Sequence, residues 1–571
     1  MKRTLAALLA VLTIALSANV VLAREEDRTA LLNAMQQEME RSRTMHLGTY
    51  DPPYFVAYQM QSSRSENLTA RFGAIFDDYE NNHRDLYVEV RVGDYTFDSS
   101  GKGGYRFSYN PDVDFHDVER QFYGPKDDDA TALRGQLWLA TDQAYKNALS
   151  SFLSKKSSDI YTADAPEDEQ FDDFSRQEPA RYFDKSKPMK FDKAAWTDFI
   201  RDLSAELKDE PELLESTVRV SHEVETRYFI NTEGTVIVDD DQLLTFYVYA
   251  RALAVDGMEL EHSYVRYAGT TKSMPTFDEL RAETTKMVSE IKALRTADKI
   301  DPYSGPAILD PQTTGTFFHE AIGHRLEGER MRDTQEGQTF KGKVGKEILP
   351  TFISVYDDPT LQYLGDQDLN GYYRYDSEGV PAQRVTLVDH GVLRNYLLSR
   401  APIPGFDHSN GHGRNNGVYD PMARMANTIV ESDKQVSAKK LKAMLIDEVK
   451  RQGKPFGLIL KRSMGGETST DSYNFQAFAN KPSLIYKVDP DTGEETLVRG
   501  AELVGTPLVS ISKLIATDET PGIFNGFCGA ESGYVPVSAV APSALVSEVE
   551  LQRTTTTPKR PPVLDAPFRS E

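Results

Sequence analysis

The stretch STVRVSHEVETRYFINTEGTVIVDDDQLLTFYVYARALAVDG, residues 216–257, admits few folds. Its β-branched and aromatic residues come in strand-length runs, broken at Asn231–Gly234 and at Asp239–Asp241, which predicts an antiparallel meander. Upstream, RDLYVEVRVG sets Leu86, Val88, Val90 and Val92 against Tyr87, Glu89 and Arg91, the period of a strand with one solvated face. Amphipathic helices flank this region. In residues 28–42 Leu31, Leu32, Met35 and Met39 share one helical face, and in TFDELRAETTKMVSEIKALRTA the residues Phe277, Leu280, Thr284, Met287, Ile291 and Leu294 recur at threes and fours.

At 571 residues the chain exceeds what one hydrophobic core supports, so two or three domains are expected. It changes character from Ser304 onward, where the short strands PAILD, RVTLVD and FGLILK alternate with glycine-rich turns around Gly411–Gly417 and Gly465–Gly466. Residues 155–188 are acidic and poor in aliphatic side chains, the composition of a surface excursion. The Thr/Pro-rich end, RTTTTPKRPPVLDAPFRSE, reads as a flexible tail.

The N-terminus MKRTLAALLAVLTIALSANVVLA has Lys2 and Arg3, a short apolar run and small residues up to Ala23, the pattern of a cleavable secretory signal. The expectation is a periplasmic or secreted protein with no stable membrane span after cleavage. Losing Lys2 and Arg3 takes the net charge from −23 to −25, which repels a phosphate backbone and argues against nucleic acid as a partner. Cys528 is the single cysteine, so no intramolecular disulfide is available to an exported chain. It is a buried inert thiol, a reactive thiol or a metal ligand.

PAILDPQTTGTFFHEAIGHRLEGER reads as a buried strand, a turn at Asp310-Pro311 and a helix from about Thr313. His319 and His324 stand five residues apart, not the four of the usual zinc-peptidase signature. On a regular helix such positions lie about 140° apart and cannot share an ion. A π-bulge would bring them together, and Gly323 would ease it. The bland alternative is an exposed amphipathic helix. Cys528, between Gly526 and Gly529, supplies a third donor; two imidazoles and one thiolate leave the fourth position of a zinc ion open to water, the composition of a catalytic site. Glu320, beside a ligand, is then placed to act as general base.

These residues resemble the TldD/PmbA metallopeptidases. The resemblance rests on HEAIGHRLEGE at 319–329, RMANT at 424–428, GGETST at 465–470 with YNFQAFANKPSLIYK after it, and GFCG at 526–529 followed by VPVSAVAPSALVSEVEL. It covers Ser304 to about Leu551, with RYFINTEGTV at 227–236 a weaker match before it. The resemblance implies Zn2+ held by His319, His324 and Cys528, with Glu320 as the catalytic carboxylate. It also implies an α+β, two-domain fold: an N-terminal α/β domain over 24–300 with the acidic insertion near 155–188, then a β-rich mixed C-terminal domain over 301–552 carrying the HExxxH helix, and a tail over 553–571. Peptide substrates follow, as does a homodimer or a heterodimer with a paralogous subunit. The signal segment 1–23 and the acidic insertion depart from the cytoplasmic family members.

DHSNGHGRNNG at 407–417 offers His408 and His412 to a second metal or a substrate loop, against the plainer reading of a flexible polar turn. Arg414 and Asn415 are candidates for hydrogen bonding to substrate backbone. Two functions are expected to compete: an exported zinc peptidase acting on unfolded or short peptides, and a non-catalytic subunit of the same fold that scaffolds or regulates a partner peptidase. A degenerate subunit should have lost one of His319, Glu320, His324 or Cys528; all four are present.

Overall fold

The computed structural model describes residues 28–100, 122–159, 171–184, 189–332, 338–470, 477–554, 557–564 and 566–568. The signal segment 1–23 lies outside these residues. No helix among the described residues is long and apolar enough to cross a membrane.

The expected meander is the centre of a sheet of seven strands among the described residues. Leu213–Asn231 pairs antiparallel with Val236–Leu253 on one side and with Phe55–Arg71 on the other. Phe55–Arg71 turns directly into Ala74–Arg91 through Phe72 and Gly73, both at positive φ, the conformation that matches a two-residue turn to the twist of its strands. The meander breaks only once. Asp239–Asp241 lies inside the strand Val236–Leu253, because Arg227 grips Asp239 with two nitrogens at 2.9 and 3.0 Å and Arg28 pairs with Asp240. Cross-strand charge pairing keeps acidic residues in the ladder.

The 28–42 helix buries Leu31, Leu32, Met35 and Met39 against this sheet together with Leu133 and Leu137 of the helix Ala130–Asp159. Lys193–Lys208 and Phe277–Thr296 form a second apolar layer, the latter opened by a capping box between Thr276 and Glu279. The strand carrying RDLYVEVRVG has no solvated face at its end: Tyr87, Glu89 and Arg91 are buried. Arg91 bonds Glu89 and Asp98 and lies over the ring of Phe174.

Phe174 belongs to the acidic stretch read as a surface excursion. Within its described part Asp173–Ser175 is buried, with Asp173 paired to Lys155, while Arg181–Phe183 adds a parallel edge strand to Val236–Val238 with Arg181 and Phe183 exposed. A few aromatic anchors suffice where aliphatic content is low. The tail is also tied down: Lys559 donates its backbone N–H to Gly257 and pairs with Glu259.

Among the described residues the second sheet has thirteen strands and begins at Asp298–Lys299. Its spine is the hairpin Leu514–Ala530 and Gly533–Arg553. Tyr303–Leu309 lies between Gly533–Arg553, antiparallel, and Gly457–Thr468, parallel. Gly465–Gly466 is no turn; it sits inside Gly457–Thr468 at an irregularity in register. Among the contacts between the two parts is Arg400, fully buried, which bonds Ser175 O and Glu233 in the first domain.

Candidate metal centre

The strand Tyr303–Leu309 ends at Asp310, whose side chain caps the helix Pro311–Ala321 by accepting from Thr313 N–H at 2.8 Å. Proline at the first helical position fits because its missing N–H would have no partner there. The helix then runs inward, with Thr313 to Ala321 all buried.

The expected π-bulge is absent. The helix stops at Ala321; Ile322 leaves helical geometry at φ −121° and ψ −50°, and Gly323–Leu326 forms a 3-10 turn. This break does what the bulge was expected to do. His319 and His324 meet edge to face with ring centroids 5.0 Å apart. Gly323 serves packing: a Cβ there would lie 1.9 Å from Met425 Sδ, so the RMANT segment closes directly on the turn.

Cys528 lies two residues before the end of its strand, across from Val535. Its Sγ is 3.1 Å from His319 Nε2 and 3.3 Å from His324 Nε2, and the three donor atoms lie within 4.8 Å of one another. A tetrahedral ion bound at ordinary Zn–N and Zn–S lengths holds such atoms about 3.3–3.6 Å apart. The two sulfur–nitrogen distances fit zinc, and the donor set closes on an ion once the imidazoles draw together. Among the described residues this is the one group of three such side chains placed to hold a metal.

Burial pushes the Cys528 thiol up, and the two facing imidazoles more than reverse it, holding it well below the ordinary thiol range. Burial likewise lowers both imidazoles, but the thiolate turns the net shift of His319 and His324 upward. Glu320 is raised by burial, with the histidines opposing. Its carboxylate faces Gly466, where a Cβ would lie 2.6 Å from Glu320 Cγ. Only glycine lets the strand Gly457–Thr468 approach so closely.

Three further residues shape the corner. Glu327 Oε1 accepts from His324 Nδ1 at 3.1 Å, and its other oxygen accepts from Arg330 Nε at 2.9 Å. Burial would raise Glu327, but His324 and Arg330 outweigh it and hold its carboxyl at about 2. Arg424 bonds Cys528 O at 2.7 Å. The sequence signal for Glu327 was its place three residues after His324; nothing local marked Arg424 as its neighbour.

His408 and His412 do not converge. His408 is exposed, whereas His412 is fully buried with Nε2 3.3 Å from Asp357 Oδ1, so the loop is neither a flexible turn nor a metal site. Arg414 and Asn415 line a cavity of about 560 Å³ between the two sheets. Their polar groups are engaged within the chain: Arg414 donates to Met425 O and Pro536 O, and Asn415 donates to Tyr419 O. The cavity wall is acidic, with Glu223, Glu225, Asp239, Asp241 and Asp368. Phe527, next to Cys528 in its strand, projects the other way and joins that wall.

Residues 302–553 match the model of the PmbA/TldA metallopeptidase C-terminal domain. Over these residues the chain belongs to the TldD/PmbA family. A metalloprotease of Methanocaldococcus jannaschii is 29% identical over 54% of this chain, and the match spans 64% of that relative's length. A protein of Saccharolobus solfataricus named zinc metalloprotease TldD homolog is 26% identical over 43% of this chain and 51% of its own. TldE from Thermococcus kodakarensis superposes with a TM-score of 0.59 at 14% identity, covering 91% of this chain and 100% of its own, a likeness of fold.

Proposed function

We propose that this TldD/PmbA protein is an exported zinc metallopeptidase that hydrolyses unfolded or short peptides, with Glu320 as general base. The observation that carries the proposal is the convergence of His319, His324 and Cys528 on one point with Glu320 beside them. The names of its relatives, metalloprotease and zinc metalloprotease TldD homolog, support it. Zinc held by the three donors would act as a Lewis acid, acidifying water and polarising a peptide carbonyl.

The chain's own residues supply the rest. Burial raises Glu320, which makes its carboxylate a better proton acceptor and able to return the proton to a leaving amine. Gly466 leaves room for that carboxylate against the neighbouring strand. Arg325 bonds Glu320 O, Thr468 Oγ1 and Ser469 O, and Arg330 bonds Thr470 Oγ1, so the wall over the site is fastened to the motif itself. The side chains of the site are nearly closed to bulk water, which strengthens every electrostatic contact within it.

Export to the periplasm or beyond rests on the 1–23 segment, and pairing with a second copy or with a paralogous subunit rests on the family resemblance. The alternative, a non-catalytic scaffold, is disfavoured by the intact set of four residues. Purified mature protein should contain about one zinc per chain and should digest an unfolded peptide until a chelator is added. Hydrolysis that survives complete metal removal would refute the reading.

A further inference from the structure

The two histidines and the cysteine come from segments about two hundred residues apart, with His324 and Cys528 separated by 204 positions. Something must hold them in register. His324 sits in a short 3-10 turn, and Cys528 stands close to the tip of a hairpin closed by Glu531 and Ser532.

One buried chain of charges joins the two. Glu327, with no exposed surface, faces His324 Nδ1 at 3.1 Å, which leaves Nε2 as the ring's metal-facing atom. Arg424, also fully buried, brings Nε to 3.5 Å from the same Glu327 oxygen. Its remaining nitrogens grip the hairpin: Nη2 donates to Cys528 O at 2.7 Å, and Nη1 donates to Ser532 Oγ at 2.8 Å and Gly533 O at 2.9 Å. Arg330 completes the clasp, bonding Glu327 on one side and pairing with Glu531 on the other. A planar guanidinium can hold three acceptors in fixed directions, which an ammonium cannot.

We propose that Glu327 and Arg424 are positioning residues of the metal centre, acting as one unit: Glu327 sets the tautomer and orientation of His324, and Arg424 sets the distance of the Cys528 strand from it. The inference rests on the zinc-site reading above. Neither residue touches the reacting atoms.

Metal-free protein titrated with Co2+ tests it, because a cobalt–thiolate charge-transfer band reports the sulfur ligand and the visible bands report geometry without any need for turnover. The unsubstituted protein should show the thiolate band; if it does not, the zinc-site reading itself fails. Glu327→Gln keeps shape and an acceptor oxygen but removes charge, and Arg424→Lys keeps charge but loses the three-way grip. Each should weaken cobalt binding by roughly 10- to 100-fold, and Arg424→Lys should also shift the thiolate band. The double variant should lose little beyond the worse single one, since residues acting as a unit are not additive. Thermal melts identify the folded variants, and if Glu327→Gln does not fold, Arg424→Lys decides alone. Folded variants with unchanged cobalt affinity and an unchanged band overturn the proposal. Arg499→Lys, a buried arginine bonded to Ala297 O away from the site, is the control for general loosening and should leave the band unaltered.

Discussion

The metal corner and the acid-lined cavity both gather ionisable side chains, and they treat charge in opposite ways. In the corner the signs alternate: thiolate against imidazoles, imidazole against Glu327, Glu327 against Arg330 and Arg424. In the cavity like charges crowd. Burial first, then Asp241 and Glu223, push Glu225 up to about 8. A buried charge is tolerable when an opposite charge and hydrogen bonds meet it; otherwise the group keeps its proton. A concentration of acids is therefore a poor guide to a metal site, and convergence of donors from separate segments is a better one.

The comparison can be broken most severely at Glu320. Glu320→Gln should retain the metal while peptide hydrolysis falls by roughly 100-fold or more; near-normal turnover with full metal content would remove the carboxylate from the mechanism. Next comes Cys528→Ser, which should lose most of the bound zinc, measured by elemental content after dialysis. Full retention would mean that the thiolate is not a ligand.

A smaller effect is expected at Gly323→Ala, where the new Cβ must displace buried Met425. Overpacking of this kind costs about 1–3 kcal/mol, read from denaturant midpoints, and metal affinity should fall with it because the turn carries His324. An unaltered midpoint would show that the RMANT segment can yield.

The smallest effect sharpens the other half of the comparison. Because the folded state raises Glu225, it binds a proton that the unfolded chain has released, so the contribution of Glu225 to stability is fully present below about 4.5 and is lost as pH rises towards about 8. Glu225→Gln should flatten that decline, making the variant the more stable protein at pH 8, while leaving metal content unchanged. Parallel stability curves across that window would show that Glu225 is ionised throughout.

Much of the fold was legible because strands and amphipathic helices write their period into the chain. The helix over Phe277–Thr296 came through with its buried face, and so did the meander, apart from its second break. Asp239–Asp241 misled because its partners, Arg227 across the strand pair and Arg28 in the N-terminal helix, face it only once the sheet has formed. The acidic stretch misled for the same reason: composition gives average exposure, whereas Phe174 is held by contacts with Phe55, Arg91 and Arg400. At the site, His319, Glu320, His324 and Cys528 could be named because few residue types bind metal. How they meet could not.

By itself the sequence determined the candidate metal donors, the strand-to-helix entry at Asp310 and the alternation that makes two sheets. Only the tertiary structure decided that the helix ends at Ala321, that Met425 occupies the space a side chain at Gly323 would need, and that Arg424 ties Glu327 to the strand of Cys528. The physical reason is one of range. Hydrophobic period and capping are local and repeat along the chain, whereas a buried ion network is worth forming only where packing has already excluded water and brought segments about two hundred residues apart into contact.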